Sequence, residues 1–260
     1  MPSELRTERR DTTLLLTISD PQTRNALSEQ VYAAGIESLN VADSDPDIRC
    51  VVLQGEGKNF CAGGDLNRLA RRRSEDPSVS RQTVDRFHGF IEALRVFPKP
   101  VIASVEGAAA GGGFSLALAC DLIVAAEDAR FVMSYARIGL SPDGGGTWQL
   151  SQALPRHLVQ RLLWLGEPLS ARELQGFGIV NWVTDSGEAL VQALMVASRL
   201  AQTAAPNAVA SAKDLLHQAL QRSLSEHLAM EQQHFIDNLF HENAGEGLAA
   251  FLGKRPPRFQ

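Results

Sequence analysis

The chain has 260 residues, 44% apolar and 21% charged, with 25 basic against 30 acidic side chains and a formal net charge of −5. That length can bury one large core in one or two domains, and the balance is that of an ordinary globular protein. The charge gives no whole-surface attraction to nucleic acid or to an anionic membrane, and no run approaches the ~20 apolar residues of a membrane span, so neither partner is expected.

Three cysteines, Cys50, Cys61 and Cys120, are odd in number and lack metal-ligand spacing. They read as isolated thiols in a reducing compartment, with no metal site. The start, M-P-S-E-L-R-T-E-R-R, has no apolar core of a secretion signal. A cytoplasmic protein is expected.

In chain order, Leu14–Ile18 reads as a buried strand closed by Asp20-Pro21. Ser28 is placed to cap a helix carrying Val31, Ile36 and Leu39, and Asp45-Pro46 ends it. Residues 48–53 form the next strand. The polar segment 68–80, with Arg71, Arg72 and Arg73 at its centre, reads as a solvated loop, or as a lid or phosphate contact. A helix follows from Val79, with an apolar stripe at Val84, Phe87, Ile91 and Leu94; His88 falls on its inward side, as a wall residue or as a base. Further helices are expected over 144–153 and 155–165. Ser170 and Glu173 are spaced as a capping box, and 181–184 is a short strand. From residue 186 the pattern is helical throughout: 186–203, 206–220, 224–240 and 244–252. Strand and helix alternate over the first two-thirds, which predicts an α/β core over 1–200 and a helical region over 201–260.

The stretch from Val101 to Asp143 stands out. An apolar run, Val101 to Val105, ends at Gly107, and Gly111, Gly112 and Gly113 open a helix-like run. A strand that breaks into glycines before a helix leaves backbone N–H groups aimed outward at the positive end of a helix dipole. A second exposed-backbone turn is expected at Cys61-Ala62-Gly63-Gly64-Asp65. Two such turns can supply two donors to one oxygen, the outline of an oxyanion hole. Asp143, just before Gly144, reads either as a helix N-cap or as a pocket carboxylate.

Three ordered motifs, F-C-A-G-G-D-L (60–66), G-A-A-A-G-G-G-F-S-L-A-L-A-C-D (107–121) and I-G-L-S-P-D-G-G-G-T (138–147), together with R-N-A-L (24–27) and the tail G-K-R-P-P-R-F, resemble the crotonase (enoyl-CoA hydratase/isomerase) superfamily over nearly the whole chain. The resemblance implies a right-handed spiral of ββα turns followed by a helical region that packs trimers, often paired as hexamers. It puts the two oxyanion-hole donors on Gly64 and Gly112. The two glutamates of family hydratases are replaced here by Ser115 and Tyr135, which counts against simple hydration, since neither titrates near neutrality. Asp143 falls where several isomerase members carry their aspartate, and the surrounding wording is close to ring-epoxide isomerases of the phenylacetyl-CoA pathway. His88 and Asp143 also match the base and nucleophile positions of aryl-acyl-CoA dehalogenases. Arg24, Ala26, Ala62, Asp65, Leu66 and Lys254 fall on family positions that hold coenzyme A.

The reading that follows is an acyl-CoA isomerase. Asp143 moves a proton on an enolate held by Gly64 and Gly112, while Ser115 and Tyr135 shape the acyl end. No metal and no separate cofactor are needed, because coenzyme A is part of the substrate. The alternatives are a dehalogenase or hydrolase using Asp143 and His88, a hydratase without the usual glutamates, and a member that binds acyl-CoA or RNA without turnover.

Overall fold

The computed structural model describes residues 3–260. Its frame is a six-stranded sheet built from β1 (Glu4–Arg10), β2 (Thr13–Ser19), β3 (Cys50–Gly55), β4 (Val101–Val105), β6 (Leu122–Ala126) and β9 (Trp182–Thr184), in that spatial order. Only the β1–β2 pair is antiparallel. A three-stranded sheet, β5 (Ala108–Ala110), β7 (Arg130–Val132) and β8 (Leu169–Ser170), lies beside it. Strands covered on both faces read as continuous apolar runs, and V-I-A-S-V of β4 is buried at all five positions.

The chain passes from one sheet to the other at β4–β5. Gly107 makes that turn at φ +52°, where a Cβ would stand 2.1 Å from the Lys58 carbonyl oxygen. Only glycine fits so close an approach in the left-handed region. The following helix, α4 (Gly112–Ala119), completes a ββα unit and packs Phe114 and Leu116 into the core.

On one side of the six-stranded sheet lie α1 (Glu29–Ser44) and α3 (Pro77–Val96), whose Tyr32, Leu39, Phe87, Phe90 and Leu94 join the main core. The other side is covered by α8 (Ala189–Thr203). Its Ala189, Ala193, Val196 and Ala197 meet Leu15, Cys50, Val52, Ile102 and Val124 in a second cluster. The small alanines let this helix lie close on the sheet. α5 (Gly146–Ala153) and α6 (Arg156–Leu165) join β7 to β8 within the smaller sheet, and α7 (Ala171–Gly176), which opens with the expected Ser170–Glu173 capping box, leads from β8 to β9 of the larger one.

Several expectations are corrected. The edge strand β1 was not foreseen. E-L-R-T-E-R-R shows no apolar alternation, because nearly all of it faces solvent. The segment 68–80 is not a loop: it holds α2 (Leu66–Arg72), capped by the Asp65 carboxylate, and the first turn of α3, capped by Asp76. A division at residue 200 falls inside α8. The helices beyond it, α9 (Pro206–Gln218), α10 (Leu224–Leu239) and α11 (Glu242–Leu252), follow their expected spans within a few residues. No residue of α9 or α10 is fully buried. Among the described residues no helix is long and apolar enough to cross a membrane.

Candidate active site

Two glycine turns interlock at the centre. Cys61 is bridged opposite Ala109: its N–H donates to the Ala108 carbonyl at 3.0 Å and its carbonyl accepts the Ala110 N–H at 2.9 Å, and Leu27 N–H donates to the Gly63 carbonyl at 2.7 Å. Gly63 lies at φ +82°. A Cβ there would sit 2.6 Å from the Ala110 oxygen and 3.1 Å from the Gly112 nitrogen. A Cβ on Gly113 would sit 2.3 Å from the Cys61 oxygen. The missing side chains are what bring the turns together. The N–H groups of Gly64 and Gly112 make no hydrogen bond within the described chain, and both residues line one cavity of about 510 Å³. Gly112 also begins α4, so the helix dipole adds to its N–H. Burial pushes the neighbouring Cys61 thiol up to about 12, which keeps it protonated and unreactive.

Asp143 faces this cavity. Its Oδ1 accepts the Tyr135 hydroxyl at 2.6 Å. It does not cap α5: the residue at that cap is Gly145, with no side-chain bond to the helix. Burial, then the negative charge of Asp143, push the Tyr135 phenol well above its ordinary value. Tyr135 therefore stays a neutral donor, fixes one carboxylate oxygen and leaves Oδ2 free of partners among the described residues.

Ser115 does not take the place expected for it at the acyl end. It is fully buried in α4, and its hydroxyl donates to the Asp143 backbone carbonyl at 2.9 Å. Its small size lets the turn fold inward: a Cβ on Gly146 would stand 2.7 Å from Ser115 Oγ, and one on Gly144 would stand 2.4 Å from Phe87. Ser115 is a positioning residue under the Asp143 turn.

His88 lines the cavity beside Phe87, on the inward side of α3 as its spacing predicted. Its Nε2 accepts the Gly144 N–H at 3.2 Å. A backbone N–H can only donate, so Nε2 is the acceptor in this bond and its lone pair is engaged.

Of the residues expected to hold coenzyme A, Ala62 and Leu66 line the cavity. Arg24 is exposed, in a left-handed conformation, and its carbonyl accepts the Ala62 N–H at 3.0 Å. Ala26 is buried, Asp65 caps α2, and Lys254 is exposed in the C-terminal turn. These four lie outside the cavity wall. The sequence reading missed Tyr32, Arg68 and Leu69, which do line it. Tyr32 sits four residues past the Ser28 cap on an apolar helix face, indistinguishable there from core. Arg68 and Leu69 fall in the segment read as a solvated loop or a lid, although Asp65, directly before the run Leu66–Arg72, is a residue type that caps helices.

The comparisons agree with this geometry. The family model for enoyl-CoA hydratase/isomerase matches residues 8–260. Over 258 residues, 99% of each chain, the sequence is 36% identical to the 2,3-dehydroadipyl-CoA hydratase of Escherichia coli K12. It is 35% identical to the 1,2-epoxyphenylacetyl-CoA isomerase of the same organism, covering 95% of this chain and 94% of that one. A crystal structure of an enoyl-CoA hydratase from Polaromonas sp. JS666 superposes with a TM-score of 0.97 at 53% identity, covering 99% of this chain and all of that one. With its interlocked glycine turns, ββα frame and full-length matches, the chain belongs to the enoyl-CoA hydratase/isomerase family, the crotonase superfamily, whose substrates are acyl-CoA thioesters.

Proposed function

We propose that the protein is an acyl-CoA isomerase, moving the double bond of a 3-enoyl-CoA, or of a related ring-derived acyl-CoA, into conjugation with the thioester. The observation that carries this reading is the Tyr135–Asp143 pair: one carboxylate, anchored through Oδ1, beside two unpaired glycine N–H groups. The thioester oxygen rests on Gly64 and Gly112. Asp143 Oδ2 takes a proton from the carbon next to the carbonyl, and the electron pair moves through the dienolate onto the oxygen. Two pre-aimed donors at that oxygen contribute on the order of 3 kcal/mol each to lowering the barrier. The carboxyl then returns the same proton at the far carbon of the allylic unit, so one base performs both transfers.

Hydration needs a second group to position water, and the positions where family hydratases carry glutamates hold Ser115 and Tyr135, both already engaged with Asp143. The names of the relatives include both activities, and this pair of residues favours the isomerase. A hydrolytic path through an Asp143 ester needs His88 as a base, and the Gly144 N–H occupies the Nε2 lone pair. The exposed apolar side chains of α9–α11 and of the turn between α10 and α11, with Phe240 and Phe251 each 83% exposed, support a homotrimer or hexamer closed by these helices.

Product analysis on a 3-enoyl-CoA tests the reading. It expects a 2-enoyl-CoA of unchanged mass as the main product. A product heavier by one water, or free coenzyme A, as the main product contradicts it.

A further inference from the structure

α2 carries two guanidinium groups to the cavity wall, Arg68 and Arg72, and they are not equivalent. Arg72 is neutralised by Glu29, at 2.6 Å, in a network with Thr83 and Arg86. Arg68 donates one hydrogen bond, from Nη2 to the Leu27 carbonyl at 2.5 Å, and no carboxylate lies within ion-pair distance of it among the described residues. Its charge is close enough to act on the Tyr32 phenol of α1. The rest of the wall here is largely apolar: Leu66, Leu69, Val84, Phe87, Ile138 and Leu140.

A half-buried guanidinium in an apolar wall is costly to leave unpaired, and its planar fork matches a carboxylate. The other charged group on the wall outside the Arg72–Glu29 network is Asp143, which repels an anion from its own end. The geometry points to an acyl group whose far end carries a carboxylate: the substrate is the coenzyme A thioester of a dicarboxylic acid, with Arg68 holding the free carboxylate. This rests on the proposed reading only for the seat of the thioester at Gly64 and Gly112, and not for the direction of the chemistry.

Inert saturated thioesters separate the two. Calorimetric affinities are compared for butanoyl- and succinyl-CoA, hexanoyl- and adipoyl-CoA, and octanoyl- and suberoyl-CoA. In at least one matched pair the carboxylate form binds about tenfold or more tightly, as a charge-assisted hydrogen bond implies. Arg68→Met collapses that ratio and Arg68→Lys retains part of it. Absence of a preference in every pair on the unaltered protein overturns the inference, and that measurement does not depend on either variant folding. Equal weakening of coenzyme A and of both members of a pair in Arg68→Met also overturns it, because Arg68 then serves the nucleotide end. Loss of double-bond migration with the preference intact would instead count against the isomerase alone.

Discussion

The two sides of the cavity are built differently. The proposed oxyanion side is backbone: Gly63 and Gly113 sit where a Cβ would strike the facing turn, Gly64 and Gly112 present their N–H groups to the cavity, and the Cys61–Ala109 bridge locks the turns into the core. The proton-transfer side is made of side chains on a largely exposed turn, residues 135–146, tied down by Tyr135, Ser115 and His88. On the proposed reading the first performs a task common to every acyl-CoA enolate, stabilising negative oxygen. On the same reading the second selects which proton moves, and it can change by substitution without disturbing the frame.

The same substitution on each side sharpens this contrast. Gly113→Ala drives a Cβ to 2.3 Å from the Cys61 oxygen, on rigid backbone, so thermal unfolding should show a loss of about 3 kcal/mol or more, or no folded protein. Gly139→Ala, at φ +72° with nothing within 4 Å, should cost only about 1–2 kcal/mol of conformational strain. Equal losses would break the comparison.

Tyr135→Phe removes the donor to Asp143 and leaves the cavity walls in place. A hydrogen bond to a charged group is worth about 1.5–3 kcal/mol, so kcat should fall roughly 10- to 100-fold, with KM moving less. An unchanged kcat would show that the pair does not orient the carboxylate.

The smallest effect concerns Glu29, which pairs with the wall residues Arg72 and Thr83. The hydrogen bond from Thr83, then Arg72, hold the Glu29 carboxyl down at about 2 from an ordinary 4.5. A lowered value means that the unfolded chain takes up the proton first as pH falls. The contribution is therefore complete above about pH 4.5 and lost towards pH 2. The group is partly in contact with water, so about 1 kcal/mol is expected. Acid titration of stability should show that increment disappearing in Glu29→Gln; an identical acid limb would refute the Glu29 contribution.

The oxyanion side was legible because its chemistry is written in glycine: spacing, a preceding apolar run and a following helix carry the signal. The proton-transfer side was legible only in part. Asp143 could be found, but not its direction, since an Asp before glycines caps a helix as readily as it faces a pocket. Tyr135 and Asp143 meet across a short 3₁₀ turn at Tyr135–Ile138 that has no periodic signature. Ser115 lies on an all-apolar helix, where no face is marked as the pocket. β1 and α2 were missed for one reason: periodicity registers a buried face, and neither element has a fully buried residue.

The central claim is that one carboxylate, Asp143, performs both proton transfers on an enolate seated at the glycine turns. The most direct measurement is deuterium uptake from heavy water into the carbon next to the thioester, followed by mass for the unaltered protein and for Asp143→Asn. The account predicts uptake with the unaltered protein and a loss of about 10²-fold or more in the variant, with acyl-CoA binding retained. Uptake at an undiminished rate in Asp143→Asn would contradict it.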